Sequence, residues 1–394
     1  MPWRQVDPMT ERLRFIRDAR DRVTSFTVLC ALYGISRTTG YKWLHRAEQS
    51  GIDYLQELSR RPHTCPHETP PALVARLLAA RRRHPDWGPR KLLRLVRRGE
   101  REQPWPARST VAELLRRNGL VTPRRRRRYP GHPGRPLTPM TAPNVIWTAD
   151  YKGQFQVGDG RYCYPLTVQD GYSRYLLACR GLSGTTYAEC RPVFERLFQE
   201  YGLPEIFRTD NGVPFATGAL GRLSQLSVWW IRLGIYPERI EPGRPAQNGR
   251  HERMHRTLKR ATARPPAPSP RSQQRRFDAF RHEYNALRPH EALGDETPAH
   301  VYTRSPRPYP STLAPLEYPA HWEVRLVSAN GGVRWQHCWV NVSHVLAGEY
   351  VAFTEIDDGE WELYFGPVRL GRFHERLGRI EDALGRLARK HVKV

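Results

Sequence analysis

The sequence predicts a multidomain protein with an all-α N-terminal part, a central α/β core and a small C-terminal β-barrel. Three observations predict it: 394 residues exceed one ordinary domain, helical periodicity fills the first third, and strand-like alternation begins near residue 142. We expect helical modules at 1–61 and 62–122, a basic Arg/Pro linker at 123–141, the core at 142–305, and the barrel with a tail helix at 306–394.

The charge balance indicates a polyanionic partner. There are 64 Lys plus Arg against 39 Asp plus Glu, which gives a formal net charge of +25. A basic surface gains free energy by releasing counterions from phosphates, so double-stranded DNA is the expected partner. A membrane is not expected, because the sequence has neither an apolar run long enough to span one nor a signal-like segment.

The six cysteines are scattered without paired spacing, which is typical of reduced thiols in the cytoplasm. His63, Cys65 and His67 are metal-ligand residue types that lie close together in sequence. They are either a zinc-site fragment or part of a solvated linker, and the missing second ligand pair favours the linker.

A helix-turn-helix is predicted within residues 26–44. Gly34 can take the positive φ of a tight turn, Ile35 can fill the space between two helices, and Ser36 is a good N-cap. The exposed residues of the second helix would face the major groove, namely Arg37, Thr38 and Lys42. The alternative is an ordinary helical hairpin with solvated charges.

A second helical module follows, with helices expected at 73–83, 88–98 and 109–118. Ser109 is the expected N-cap of the third helix, and Arg116 and Arg117 are its expected DNA contacts. The arginine run 124–128 lies among prolines and should be extended, so Arg124, Arg125 and Arg126 are expected to follow DNA phosphates.

The central part begins with strand-like segments at 144–151, 161–169 and 172–181, with a turn at Asp170 and Gly171. A helix with an apolar stripe from Cys190 to Tyr201 and a strand at 205–209 follow. Three strands, a helix and a further strand are the opening of a ribonuclease-H-like α/β fold. Residues 216–230 are interpreted as a helical insertion, and another helix is expected to run from Glu252 to about residue 261.

Three acidic residues stand where such a fold would bring them together. Asp150 lies on the first strand, Asp210 follows the fourth, and Glu252 begins a helix. Hard divalent cations need oxygen ligands of this kind for phosphodiester chemistry. Each residue also has an ordinary interpretation: a surface strand residue, a turn-former, and an ion-pair partner of Arg256. Helical spacing places Glu252 on one face with Lys259 and with either His255 or Arg256.

The motifs around these residues carry a family resemblance. They are Trp-x-x-Asp at 147–150, Thr-Asp-Asn-Gly at 209–212 and Pro-x-x-Asn-Gly-x-x-Glu at 245–252, followed by Tyr-Asn at 284–285, Arg-Pro-His at 288–290 and Thr-Pro at 297–298. The chain resembles the DDE superfamily of insertion-sequence transposases and retroviral integrases over most of its length. Glu252 lies 42 positions after Asp210, a longer spacing than is usual in retroviral integrases.

The resemblance implies that Asp150, Asp210 and Glu252 are catalytic and bind two Mg²⁺ (or Mn²⁺) ions, with Asp150 bridging them. It implies a transposase that cuts element ends and joins their 3′-OH groups to target DNA, with Arg250 and Lys259 on DNA phosphates. It further implies a homo-oligomer on DNA and a bacterial cytoplasmic, nucleoid-associated location. The rival functions are a non-catalytic DNA-binding regulator and a structure-specific nuclease of the ribonuclease H class.

After the prolines near 310, strand-like runs at 323–328, 333–341, 349–356 and 361–366 predict the barrel. Its large aromatics are expected in the core rather than on a nucleic-acid surface: Trp335, Trp339, Tyr350, Trp361 and Tyr364. Residues 371–394 are expected to end in a basic helix with Ile380, Leu384 and Leu387 on one side.

Overall fold

The computed structural model describes residues 7–50, 55–57, 68–98, 104–121, 137–382 and 385–387. The chain divides into two compact units, Met1–Pro70 and Pro71–Val394. The predicted DNA contacts Arg124, Arg125 and Arg126 lie outside the described residues, as do His63, Cys65 and His67. Among the described residues, no helix is both long and apolar enough to span a bilayer.

The first unit contains the predicted helix-turn-helix. Its helices are α1 (Pro8–Asp21), α2 (Phe26–Leu32) and α3 (Arg37–Ser50), packed around a small core that includes Phe15 and Trp43. Gly34 has a φ of 64°, and the Ser36 hydroxyl accepts a hydrogen bond from the Thr39 amide at 3.2 Å. The predicted turn and N-cap are therefore confirmed.

The second unit begins with α4 (Pro71–Arg83), α5 (Pro89–Val96) and α6 (Arg108–Arg117). These helices bury one apolar cluster that includes Leu77, Trp87 and Val111. The predicted N-cap was wrong, because α6 begins earlier and its N-cap is Ala107, whose side chain cannot cap. Ala107 keeps the extended backbone of the proline-containing loop (φ −64°, ψ 154°), so Ser109 already lies inside the first helical turn.

The central α/β region is a sheet flanked by helices. Its strands are β1 (Ile146–Tyr151), β2 (Phe155–Gln156), β3 (Tyr162–Asp170), β4 (Leu176–Leu182), β5 (Ile206–Thr209) and β6 (Tyr236–Arg239). Its helices are α7 (Tyr187–Tyr201), α8 (Gln225–Arg232), α9 (Gly249–Thr262), α10 (Pro270–His282) and α11 (Pro298–Val301). The sheet order is β2-β3-β1-β5-β6, and β4 pairs with β3. Strands β1, β3 and β4 form the predicted antiparallel meander, and β5 and β6 run parallel to β1. This is the expected ribonuclease-H-like arrangement.

The interpretation of residues 216–230 as an insertion was wrong. Helix α8 begins only at Gln225 and connects β5 to the parallel strand β6, so it is the crossover of a β-α-β unit. Leu226, Trp229 and Trp230 are buried in the main core. Strand β6 was not predicted, because four residues that include Pro237 and Glu238 show no apolar alternation.

Helices cover both faces of the sheet. On one face α7 and α8 pack through aromatic rings, with Phe207 stacked on Trp230 at 4.2 Å between centroids. On the other face α9 and α10 contribute Met254, Leu258 and Phe277 to a second core. Alternation along β1 turns Trp147 and Ala149 toward the first core, and it therefore turns the residues between and after them toward α9.

The C-terminal strands are β7 (Glu323–Leu326), β8 (Gly332–Trp335), β9 (Cys338–Asn341), β10 (Tyr350–Asp357), β11 (Glu360–Phe365), β12 (Val368–His374) and β13 (Arg379–Asp382). They pair as a five-stranded sheet, β13-β12-β11-β10-β7, and a β8-β9 hairpin. Both pack around one cluster, which also includes Val228 and Ile231 of α8.

Two expectations for this region were wrong. The tail is not helical over its described residues, because Gly371 lies in β12 and Ile380 in β13, where it is fully buried in the sheet's core. Of the five aromatics, Trp335 is buried as expected, but Trp339 is 39% exposed and Tyr350 is 53% exposed. Both belong to strands with one face in solvent, where alternation decides burial.

Candidate active site

The two aspartates lie at the same edge of the sheet. Strands β1 and β5 are parallel neighbours, and Ala149 of β1 is in register with Thr209 of β5. Asp150 and Asp210 are the next residue along each strand. Because neighbouring strands lie about 4.8 Å apart, this register places the two carboxyl-bearing residues side by side.

Helix α9 brings Glu252 to the same region. Its inward face is buried and includes His251, Met254 and His255, whereas Glu252 is exposed. The sequence left open whether His255 or Arg256 shares a face with Glu252. Arg256 is exposed and His255 is only 4% exposed, so Arg256 is on the outer face.

The electrostatics of Asp150 connect the three carboxylates. Burial and the charge of Asp210 raise the pKa of Asp150 to about 7, Glu252 contributes a smaller increase, and Lys152 opposes them. Burial is the largest cause, because the charged form loses hydration. The site therefore holds acidic groups that repel one another, an arrangement that a bound cation would stabilise.

Two buried histidines stand behind Asp150. His251 Nδ1 lies 2.7 Å from Thr148 Oγ1, and His251 Nε2 lies 2.7 Å from Thr167 Oγ1. His255 Nε2 is 2.6 Å from the same Thr167 Oγ1, and His255 Nδ1 is 3.5 Å from Asp150 Oδ2. His251 and the two threonines were not predicted as site residues. The i, i+4 spacing of His251 and His255 on α9 was the one sequence feature that could have indicated the histidine pair.

Of the three non-catalytic roles considered for the acidic residues, only the turn-forming role of Asp210 is observed. Asp210 does form a turn, because its Oδ1 accepts a hydrogen bond from the Gly212 amide at 3.1 Å. Asp150 is not a solvated strand residue, since its side chain is only 19% exposed. Between the two described side chains of Glu252 and Arg256 no ion pair forms.

The residues predicted to contact DNA differ in whether their side chains already have partners within the protein. Arg37, Thr38 and Lys42 are exposed on α3. Arg116 and Arg117 are exposed, but both pair with Glu113 at 2.7 and 2.8 Å. The remaining two lie on α9: Lys259 is exposed, and Arg250 donates to the Gly171 carbonyl at 2.9 Å.

A cluster of cations that the sequence analysis did not assign lies beside α9. It comprises Lys91 of α5, Arg174 of the β3–β4 turn, Arg253 of α9 and Arg288 after α10. Burial, then Arg288, lowers the pKa of Lys91 to about 8, and burial, then Arg250, lowers that of Arg174 to about 10. Within the described part of the chain, none of the four forms an ion pair. Arg288 belongs to the Arg-Pro-His motif noted in the sequence without a role.

Comparisons with known proteins agree with this organisation. Two "Integrase core domain" models match residues 140–245 and 233–298. A "Helix-turn-helix domain" model matches residues 11–63, and a "Homeodomain-like domain" model matches residues 39–115.

Among curated proteins, the "Insertion element IS407 uncharacterized 31.7 kDa protein" of Burkholderia multivorans is 28% identical over 58% of this chain and 79% of its own length. The "Insertion element IS476 uncharacterized 39.2 kDa protein" of Xanthomonas euvesicatoria is also 28% identical, over 58% of this chain and 64% of its own. The Gag-Pol polyprotein of Koala retrovirus is 30% identical over 44% of this chain, which spans only 10% of that polyprotein.

Among solved structures, the catalytic core domain of HTLV-2 integrase in complex with magnesium is 16% identical with a TM-score of 0.33, over 41% of this chain and 98% of that one. Helix-turn-helix modules before an integrase core define the class of protein. The matched models and the insertion-element relatives support an insertion-sequence transposase with an integrase-like catalytic core.

Proposed function

We propose that this protein recognises the ends of its element, cleaves the DNA phosphodiester there, and joins the resulting 3′-OH ends to target DNA. The observation that carries the proposal is the convergence of three carboxyl-bearing residues. Asp150 and Asp210 are in register on parallel neighbours, and Asp150 senses the charges of both Asp210 and Glu252. The matches to integrase core domain models and to insertion-element proteins make DNA transposition the reaction that fits best.

The donor types fit hard divalent cations, because all three residues offer carboxylate oxygens, two at one edge of the sheet and one on α9. Asp150, Asp210 and Glu252 would hold two Mg²⁺ or Mn²⁺ ions. When bound, such ions lower the barrier of an in-line phosphoryl displacement by stabilising the charges on the attacking and leaving oxygens.

The chain's own residues bind and orient the DNA. Arg37, Thr38 and Lys42 on α3 would read base edges and phosphates of the element end. Lys259, which is exposed on the same helix as Glu252, would contact a DNA phosphate close to the scissile bond. Arg250 would also contact a DNA phosphate there. Arg116, Arg117 and the 124–126 arginines would track the duplex. Because Arg116 and Arg117 are held by Glu113, DNA must displace that pairing.

The rest of the chain supports an assembly on DNA. We propose that 1–61 and 62–122 act as separate DNA-binding modules, that 123–141 links them to the core at 142–305, and that the strands within 306–394 form a small barrel. A homo-oligomer would bring two element ends together.

Strand transfer tests this function. The full chain is incubated with a pre-cut element-end oligonucleotide, a plasmid target and Mg²⁺, beside its Asp210→Asn variant. We expect joined products from the unmodified chain alone. DNA binding without joining by either protein would make the chain a regulator, and cleavage of structured DNA without joining would make it a nuclease.

The cluster of Lys91, Arg174, Arg253 and Arg288 provides a further prediction, that it contacts the DNA backbone. Unpaired cations that are partly buried gain most from a phosphate, because the phosphate replaces both lost water and the missing counter-charge. Arg174→Gln should weaken binding to end DNA and to unrelated DNA equally. It should lower the slope of log K against log salt concentration by about 0.9, as expected for one lost phosphate contact.

Arg161→Gln is the matched control for this measurement. Arg161 is an exposed arginine in the turn before β3, but it is already paired with Asp159 at 2.7 Å. Its replacement should leave the slope unchanged. Equal slopes for all three proteins would show that Arg174 does not contact DNA phosphates.

A further inference from the structure

The histidines behind Asp150 contain one nitrogen atom that the hydrogen-bond network leaves unused. Ligand atoms of Asp150, His251 and His255 all lie within 4.8 Å of one another. Whether a histidine can bind a cation depends on which of its nitrogens carries the proton. That can be worked out from the hydroxyl groups of Thr148 and Thr167, since each has a single proton to donate.

Thr167 fixes the protons on one side of both rings. Its hydroxyl donates to the Asp150 carbonyl oxygen at 3.0 Å, so it must accept from the two imidazoles. The Nε2 atoms of His251 and His255 approach it at 2.7 and 2.6 Å, and both therefore carry N–H groups there. His251 is fully buried and His255 is 4% exposed, which disfavours the doubly protonated ring, so both Nδ1 atoms are lone pairs.

The two Nδ1 lone pairs have different surroundings. The Thr148 hydroxyl lies 2.7 Å from His251 Nδ1 and 3.2 Å from the Gln169 carbonyl oxygen. Because the buried His251 ring already carries its one proton on Nε2, the Thr148 proton is donated to the nearer acceptor, His251 Nδ1. The Nδ1 lone pair of His255 has no hydrogen-bond donor among the described residues, and it faces Asp150 Oδ2 at 3.5 Å. A lone pair and an ionised carboxylate oxygen repel each other unless a proton or a metal cation lies between them.

We propose that His255 Nδ1 is a nitrogen ligand to a divalent cation held by Asp150, so that the site is not purely carboxylate. This rests on the proposed function, because it concerns the same acidic site. Two ligands that each lie about 2.1 Å from one ion can be up to ~4.2 Å apart, and 3.5 Å is within that range. An imidazole ligand favours Mn²⁺ and later transition ions over Mg²⁺. His251 serves a different purpose: it holds Thr167 and thereby the ring of His255.

The test uses the full chain without a histidine tag and with Mn²⁺ as the probe. Pulsed electron paramagnetic resonance of the bound ion should show hyperfine coupling to a histidine ¹⁴N, and ¹⁵N-histidine labelling should change that coupling. In His255→Gln the amide can still donate to Thr167, but the side chain has no nitrogen that can bind a cation in place of Nδ1. We expect this variant to lose the nitrogen coupling and to bind Mn²⁺ at least about tenfold more weakly. Replacing even a residue that only hydrogen-bonds to a metal ligand weakens metal binding by about that factor.

Two further variants separate the outcomes. His251→Asn keeps an acceptor for Thr148 and leaves His255 in place, so the nitrogen coupling should remain. Asp150→Asn should abolish both the coupling and the binding of that ion. Binding that depends on Asp150 but shows no nitrogen coupling would overturn the role of His255 and leave the proposed function standing. Failure of Asp150→Asn to alter Mn²⁺ binding would count against the metal site itself. If His255→Gln does not fold, the isotope experiment on the unmodified chain decides alone.

Discussion

Glu252→Gln is expected to bind element-end DNA with the affinity of the unmodified chain and to lose strand transfer by at least about 10³-fold. Glu252 is exposed at the start of α9 and forms no ion pair with Arg256, so the substitution should not disturb the fold. The loss is expected because a metal-binding carboxylate supplies several kcal/mol to the transition state, and each 1.36 kcal/mol is a factor of ten.

Both quantities are measured on the same DNA, affinity by fluorescence anisotropy and joining by gel analysis of single-turnover reactions. Glu205→Gln is the matched control, since Glu205 is also an exposed glutamate of the core but precedes β5, at the opposite end of that strand from Asp210. It should join DNA normally. Retention of more than a tenth of the joining rate by Glu252→Gln would exclude Glu252 from the metal site.

Asp150→Asn is expected to be more stable than the unmodified chain at pH 8 in metal-free buffer. The pKa of Asp150 is raised from 3.8 to about 7, mainly by burial and then by Asp210. A raised pKa means that the folded protein prefers the protonated carboxyl, so ionisation destabilises it. That cost is absent below about pH 4, grows as the pH rises toward 7, and is constant above it. Asparagine carries no such cost at any pH.

The expected difference in the free energy of unfolding at pH 8 is about 2–4 kcal/mol, given ~1.4 kcal/mol per pKa unit and a side chain that is still partly solvated. Urea unfolding at pH 4, 6 and 8 with EDTA measures it. Asp358→Asn, whose side chain is 93% exposed, should show no pH-dependent gain. Added Mg²⁺ or Mn²⁺ should narrow the difference, because only the unmodified chain binds the ion well. If the difference in the free energy of unfolding between Asp150→Asn and the unmodified chain were the same at all three pH values, the raised pKa of Asp150 would be contradicted.

The sequence alone predicted those elements whose structure depends on residues close together in the chain. Gly34 and Ser36 carry the turn and cap of the helix-turn-helix, and the apolar stripe of α7 identifies its buried face. The order of elements predicted the ribonuclease-H-like fold, and the parallel pairing of β1 and β5 within it places Asp150 beside Asp210.

Other features depend on tertiary packing, which no local pattern reports. Strand β6 has only four residues and pairs because α8 delivers it beside β5. The spacing of Ile380, Leu384 and Leu387 predicted a helix in the basic tail. Phe373 of β12 and Ile380 of β13 are instead buried in the core of a sheet. The cluster of Lys91, Arg174, Arg253 and Arg288 assembles from four separate elements, so its members are not neighbours in sequence.

The proposed account holds that a DNA 3′-OH attacks the target phosphodiester directly, with no covalent protein intermediate. The most direct test supplies the full chain and Mg²⁺ with two pre-cut ends that differ only in a 3′-hydroxyl or a 3′-hydrogen, and sequences the junctions. The account predicts joining of the 3′-hydroxyl end alone, with its 3′-oxygen linked to target DNA. Joining of the 3′-deoxy end, or DNA covalently attached to the protein, would contradict it.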